Sequence, residues 1–285
     1  MSTEALPFAF GLNEFTTMPW TFEEDVENYA ALGVEALELC ESKLDDERVE
    51  EQLALVGEAG LPITSVQPAV RTVFPSSMMP EPEDRRERLH RLRRSIERIS
   101  PYAPGAVFVT NTGPAPQGDI AATLEETISA HRELARVADD HGVRIALEPL
   151  NPIALNLETA IWTFAQALHI IREVDRESVG ICLDLWNVWQ DGGLLAGIRS
   201  APDKIFALQV SDWRTPRSGA DRRSVGDGYI PTGPLLHAVY DAGYRGPCVV
   251  EIFSQNVPDS LYDGDLSELV RRNRAALQRA WQEAP

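Results

Sequence analysis

The chain is predicted to fold as a single closed (β/α)8 barrel over residues 1–285, and three observations predict it. Short β-branched runs alternate from end to end with longer stretches of helical period, the pattern of parallel strands joined by crossover helices. The strand runs are nearly continuous in apolar residues, as strands buried on both faces must be. Eight such units occupy the chain, which suits a closed barrel better than an open doubly wound sheet.

The first run, Phe8 to Leu12, leads to Thr21-Phe22-Glu23-Glu24. This is a capping box, in which a hydroxyl and a carboxylate satisfy free backbone N–H groups, so a helix is expected over Phe22 to Leu32 with Gly33 as its stop. The run Val34 to Leu39 and the helix Glu47 to Ala59 follow, closed by Gly60, and then Ile63 to Gln67 with Arg85 to Ser100. The fourth unit pairs Val107 to Asn111 with a long helix, Ile120 to His141, that Gly142 ends. The fifth pairs Arg144 to Glu148 with Thr159 to Val174. After the sixth run, Val179 to Asp184, the connection is weakest, because Gly193 to Ser200 supplies only a short helix. Ile205 to Val210 with Leu235 to Ala242 and a Gly243 stop, then Cys248 to Phe253 with Leu266 to Trp281, complete the eight units.

Composition bounds the partners. With 44 Asp plus Glu against 26 Lys plus Arg, the chain repels nucleic-acid backbones and anionic membrane surfaces on average. No stretch approaches the roughly 18 to 20 consecutive apolar residues that span a bilayer. The N-terminus MSTEALPFAF lacks a basic region followed by a long apolar one. A cytoplasmic protein is expected, acting on a small molecule, with a homo-oligomer left open. Cys40, Cys182 and Cys248 are odd in number and each embedded in an apolar run, so they read as buried core thiols. There is no glycine-rich phosphate loop. His90, His131, His141, His169 and His237 all fall in expected helices, which makes them surface or packing residues and removes a Ser-His-Asp mechanism.

Function is carried by four polar residues at or near the ends of four runs. Glu148, Asp184, Gln209 and Glu251 close RIALEP, VGICLD, IFALQVSD and CVVEIF, on strands five to eight. A parallel barrel presents strand-end side chains at one mouth, so three carboxylates and an amide would converge there. That donor set is hard and oxygen-rich, and it suits one Mn²⁺ or Mg²⁺ ion, with Co²⁺ as a further option, better than a structural zinc.

At these residues the sequence resembles the xylose-isomerase-like family of TIM barrels, which includes sugar isomerases, ketose 3-epimerases, hydroxypyruvate isomerases, inosose dehydratases and 3-dehydroshikimate dehydratases. The resemblance spans nearly the whole chain but is specific in its second half: ALEPLN at 146 to 151, GICLDLWN at 180 to 187, QVSDWR at 209 to 214, GDGYIP at 226 to 231 and VVEIF at 249 to 253. It implies that Glu148, Asp184, Gln209 and Glu251 are metal ligands and that Glu148 and Glu251 also form the acid/base pair. Two positions depart from the pattern of many members, which carry His where this chain has Gln209 and Asn187. Some hydroxypyruvate isomerases and dehydroshikimate dehydratases are similar in using Gln. Asn187 stands where the resemblance places the usual substrate-hydroxyl contact, and the change weighs against a simple aldose or ketose substrate and toward the lyase alternative.

Such a cage stabilises the enediolate formed when a proton leaves beside a substrate carbonyl. Return of the proton to the opposite face gives epimerisation, return to the adjoining carbon gives isomerisation, and loss of a β-substituent gives dehydration or elimination. The leading expectation is a metal-dependent isomerase or epimerase of a keto-sugar or related hydroxy-ketone. The alternative is a lyase acting on an inosose, a dehydroshikimate-type ring ketone or an oxidised glycoside, and a further one is a non-catalytic sugar-binding or partner subunit. A multi-zinc endonuclease is disfavoured by the acidity and by the absence of extra His ligands. For substrate binding the expected residues are Asn187, Trp186 and Trp213 as polar and aromatic walls, Gln67 at the end of the third run, and, of the loop arginines Arg214, Arg217, Arg222 and Arg223, Arg214 or Arg217 as a clamp for phosphate or carboxylate.

Overall fold

The alternating runs form eight parallel strands in the computed structural model, which describes residues 5–284. Residues 1–4 and 285 of the expected domain lie outside the described residues. The strands are β1 (Phe10–Asn13), β2 (Ala36–Cys40), β3 (Ile63–Gln67), β4 (Val107–Thr110), β5 (Arg144–Leu147), β6 (Val179–Asp184), β7 (Ile205–Val210) and β8 (Cys248–Val250). Each pairs with its sequence neighbour, and β1 pairs with β8, so the sheet closes into a barrel. The helices around it are α1 (Phe22–Ala31), α2 (Val49–Glu58), α3 (Arg85–Ile99), α4 (Ile120–His141), α5 (Phe164–Val174), α6 (Leu185–Val188), α7 (Leu194–Ser200), α8 (Thr232–Asp241) and α9 (Leu266–Glu283).

Local signals set most boundaries. Thr21 and Glu24 make the expected capping box at α1, and Gly33, Gly60, Gly142 and Gly243 take left-handed φ of 66°, 68°, 64° and 96° where helices stop. The fifth helix begins at Phe164 and not near Thr159, because Thr163 and Gln166 build a second capping box. Thr159 is instead buried in the preceding loop, its hydroxyl donating to Ile161 O at 2.8 Å. After β6 the chain places one turn, α6, before the short α7, so the weakest connection is split in two.

Apolar burial falls into two layers. The larger lies between strands and helices and includes Phe108, Leu134, Ile145, Phe164, Leu183 and Leu236. Each such fully buried side chain contributes roughly 1.5–3 kcal/mol relative to exposure. A smaller cluster of Val107, Val109, Ala146, Cys182 and Ala207 packs separately. His131 on α4 is a packing residue as expected: it is buried, its ring nitrogens lie 2.9 Å from the Thr110 hydroxyl and 2.8 Å from Thr127 O, and burial holds its pKa down to about 4. No described helix is long and apolar enough to cross a membrane.

Candidate functional site

Strand register brings the expected residues to one mouth of the barrel. Asp184 and Gln209 are direct partners at the ends of β6 and β7. Glu148 and Glu251 follow the last residues of β5 and β8, and each donates its backbone N–H to the neighbouring strand, to Thr110 O at 2.9 Å and Val210 O at 3.0 Å. That extra bond holds both carboxylates at the rim. Glu148, Asp184 and Glu251 each present an oxygen within 4.8 Å of the others, and all three are buried. Glu148, Asn187, Gln67, Trp186 and Glu251 line a cavity of about 430 Å³.

Three buried carboxylates so close repel one another. Burial first, then the charge of Asp184, raises Glu148 to about 7. Burial raises Glu251 well above the usual carboxylate range and Asp184 less so, both opposed by Arg222. The Arg222 Nη1 stands 2.8 Å from Asp184 Oδ2 and 2.9 Å from Glu251 Oε2. Burial weighs against its charge, but the surrounding carboxylates outweigh burial and keep it protonated. Its guanidinium is sandwiched between Trp186 and Phe253, 4.8 and 4.9 Å from the ring centres.

Neutral amides complete the shell. Asn187 Nδ2 bridges Glu148 Oε1 and Asp184 Oδ2, 2.8 Å from each. Its Oδ1 accepts from the Asn151 N–H at 2.9 Å, which fixes the orientation of the amide. Asn111 donates to Glu148 Oε2 at 3.0 Å, and Asn13 donates to Glu251 Oε1 at 2.9 Å. Gln209 turns its nitrogen toward Glu251 Oε1, 3.2 Å away, and toward Glu38, while its oxygen accepts the Cys182 thiol at 3.1 Å. Gln67 likewise donates to Glu38 at 3.0 Å and lies 3.4 Å from Glu251 Oε1. Burial pushes the Cys182 thiol well up, so it remains a donor. The buried thiols are therefore more than filler: Cys40 also donates, to Asn13 Oδ1 at 3.3 Å.

Three expected substrate contacts lie elsewhere. Trp213 packs tilted against Trp189, ring centres 5.1 Å apart, and 6.4 Å from Tyr229, and does not line the cavity. Arg217 pairs with Asp221 and Asp259, and Arg214 with Asp259 at 3.6 Å, both facing outward with about half their surface exposed. Arg222 takes the inward place because this segment is extended: Arg223 bridges antiparallel to Asp212, so adjacent side chains point to opposite faces. Asp212 anchors the loop by accepting the N–H groups of Trp213, Gly226 and Ile230. Gly228 is required there, since a Cβ would lie 2.3 Å from Trp213 O.

Sequence reasoning passed over Asn13, Glu38, Arg71 and Asn111, and among the loop arginines it chose Arg214 or Arg217 over Arg222. Glu38 carried a readable signal, a carboxylate between two leucines inside an apolar strand. It is fully buried and held by Asn13, Ser65, Gln67 and Gln209. Arg222 had no distinguishing mark beside Arg223.

The donor set fits a hard divalent cation. Buried oxygen donors converge within reach of one centre, and the guanidinium nitrogen seated between two of them is itself a cation at that place.

A family model described as xylose isomerase-like TIM barrel matches residues 26–280. An inosose isomerase from Halalkalibacterium halodurans is 30% identical over 126 residues, covering 42% of this chain and 43% of the relative. A 3-dehydroshikimate dehydratase from Pseudomonas putida KT2440 is 26% identical over 248 residues, 82% of this chain but 36% of the relative. For these two, the match spans less than half of the relative's length. A D-psicose 3-epimerase from Ruminiclostridium cellulolyticum is 26% identical, with 80% of this chain and 77% of the relative covered. The solved structure of the IOLI protein with a bound zinc atom superimposes with a TM-score of 0.79 at 20% identity, covering 96% of this chain and 98% of that one.

Proposed function

The chain belongs to the xylose isomerase-like TIM barrel family, and on that footing we propose that it is a divalent-metal-dependent enzyme that moves a proton beside the carbonyl of a hydroxy-ketone. Isomerisation or epimerisation is the outcome put forward first. The observation that carries the reading is the convergence of Glu148, Asp184 and Glu251, three buried carboxylates within 4.8 Å, on a cavity large enough for one sugar-sized ligand.

Glu148, Asp184 and Glu251 would hold the ion, with Gln209 beside them. When bound, the ion supplies Lewis-acid stabilisation of the negative charge that develops on the carbonyl oxygen as the neighbouring proton leaves. Glu148 and Glu251 are the proposed acid and base, since both line the cavity. Asn187 and Asn111 hold the Glu148 carboxylate by both oxygens, and Asn13, Gln67 and Gln209 hold Glu251 by Oε1. Each carboxylate is thereby oriented before substrate arrives. Trp186, Phe253 and Leu150 supply apolar wall and limit water.

A second reading, loss of a β-hydroxyl from a ring ketone, draws support from the dehydratase alignment, which covers 82% of this chain, and from the aromatic wall. One experiment separates these outcomes. The purified protein is assayed for bound metal and then incubated in D₂O with D-psicose, an inosose and 3-dehydroshikimate. The expected result is about one divalent ion per chain and solvent deuterium in recovered ketone; a new double bond would select the lyase. A metal-saturated protein that exchanges no proton with any of these ketones would reduce the cage to a binding role.

A further inference from the structure

Arg71 is the cation of the cavity that the candidate centre does not use. It lines the same cavity as Glu148 and Glu251, and its charge acts on Glu148. The chain carries 44 acidic residues, yet among the described residues Arg71 has no ion-pair partner. Its Nη1 reaches only the Met79 sulfur at 3.7 Å, a weak acceptor, and its guanidinium carbon lies 5.8 Å from the Phe15 ring centre. The other arginines near the mouth are all engaged: Arg222 by Asp184 and Glu251, and Arg214, Arg217 and Arg223 by Asp221 or Asp259.

The backbone holds this lone cation in place. Arg71 O accepts the Asn111 N–H at 2.8 Å, and the Asn111 side chain is the one that orients Glu148. The loop beyond Arg71 is pinned by Arg88, which has no exposed surface. Arg88 donates to Thr72 O at 2.9 Å, Pro82 O at 2.9 Å, Met79 O at 3.1 Å and the Thr72 hydroxyl. A half-buried guanidinium that faces a ligand cavity with five N–H donors and one thioether acceptor is poised for planar oxyanion recognition.

We propose that Arg71 receives an anionic group of the substrate, a carboxylate or a phosphate, so that the site is built for an anionic hydroxy-ketone and discriminates against neutral sugars. This rests on the reading of the cavity as the active site. A neutral ligand would leave the guanidinium unpaired in a partly desolvated wall, and that mismatch is the source of discrimination.

The test compares ligands that carry the anionic group with twins in which it is masked or absent. Calorimetric titration of the metal-loaded full chain would use shikimate against methyl shikimate, and D-fructose 6-phosphate against D-fructose. At least one anion is expected to bind roughly tenfold or more tightly than its neutral twin, and the pair that shows the preference identifies carboxylate or phosphate. Arg71→Gln should abolish the preference, by weakening the anion and relieving the mismatch with its neutral twin, and Arg71→Lys should retain part of it. Equal affinities within both pairs, no binding by either anion, or a preference that survives Arg71→Gln would overturn the proposal. Proton exchange with neutral ketones and no anion preference would sink this inference and leave the proposed function standing; anion preference without proton exchange would do the reverse.

Discussion

Two groups of buried carboxylates share one cation each: at the barrel mouth Arg222 pairs with Asp184 and Glu251 and its charge acts on Glu148, and elsewhere Lys43 pairs with Asp25 and its charge acts on Glu14. In the second group Asp25 also accepts from the Thr17 hydroxyl at 2.6 Å, while Glu14 accepts the Cys40 N–H at 2.6 Å. Burial, then the charge of Asp25, raises Glu14 well above the ordinary carboxylate range. The chemistry is alike and the surroundings differ. The mouth group opens on the cavity, whereas Glu14, Asp25 and Lys43 do not line it. Burial of carboxylates is thus common to both groups; burial next to an open volume distinguishes the mouth group, and that is the ground on which it is proposed as the site.

The largest effect expected from that contrast is at Glu251. Glu251→Gln keeps the shape and removes the basic site, so turnover at saturating metal should fall by roughly 10² to 10⁴ fold. Both oxygens of this carboxylate accept hydrogen bonds, Oε1 from three amides and Oε2 from Arg222. Some loss of metal affinity should accompany the substitution, which is why saturation must be checked in the same assay. Full turnover by the saturated variant would remove Glu251 as the base and leave the mouth group a binding role, which narrows the contrast.

Much of the mouth group was legible because a parallel barrel turns a one-dimensional rule, a polar residue at a strand end, into a three-dimensional convergence. Glu148, Asp184, Gln209 and Glu251 obey it. Arg222 does not, since its inward aim depends on the Asp212–Arg223 bridge and on loop anchors far apart in sequence. Arg71 and Asn111 lie in segments whose course is set by Arg88 and by backbone bonds between loops, which periodicity does not encode. Trp213 stands outside the cavity lining, where the Trp189 and Tyr229 rings pack against it. The fold itself was readable almost in full, because strand and helix periods are local properties and their eightfold alternation leaves one closed solution.

A smaller effect, on stability and not on chemistry, is expected in the sealed group. Lys43→Met leaves Asp25 buried without its cation and should cost about 3 kcal/mol at neutral pH. Burial already holds Asp25 at about 6 against an ordinary 3.8, even with Lys43 opposing it. Because the folded value is the higher one, the stabilisation from taking up a proton is complete below about pH 4 and lost as pH rises through 6. Removing Lys43 raises the folded value further and extends that loss to higher pH. Urea unfolding at pH 5 and pH 8 should thus show the variant's deficit growing with pH. A deficit independent of pH would mean that Asp25 stays ionised in both proteins, and the sealed group would not be the protonatable structure described.

The smallest expected effect sharpens the contrast at one residue, Gln209, which touches both the mouth carboxylates and the buried thiol Cys182. In the arrangement seen, its nitrogen faces Glu251 and its oxygen faces the Cys182 sulfur, so service as an oxygen ligand requires the amide to turn over. The thiol permits this, because sulfur accepts weakly as well as donating. Imidazole is a borderline nitrogen donor and amide oxygen a hard one, so Gln209→His should shift preference from Mn²⁺ or Mg²⁺ toward Zn²⁺ or Co²⁺ by roughly tenfold. Competition binding of the four ions to both proteins measures this directly. An unchanged ranking would place Gln209 outside the ligand set, leaving it as a donor that orients Glu251, and the open cluster would then bind through its three carboxylates alone.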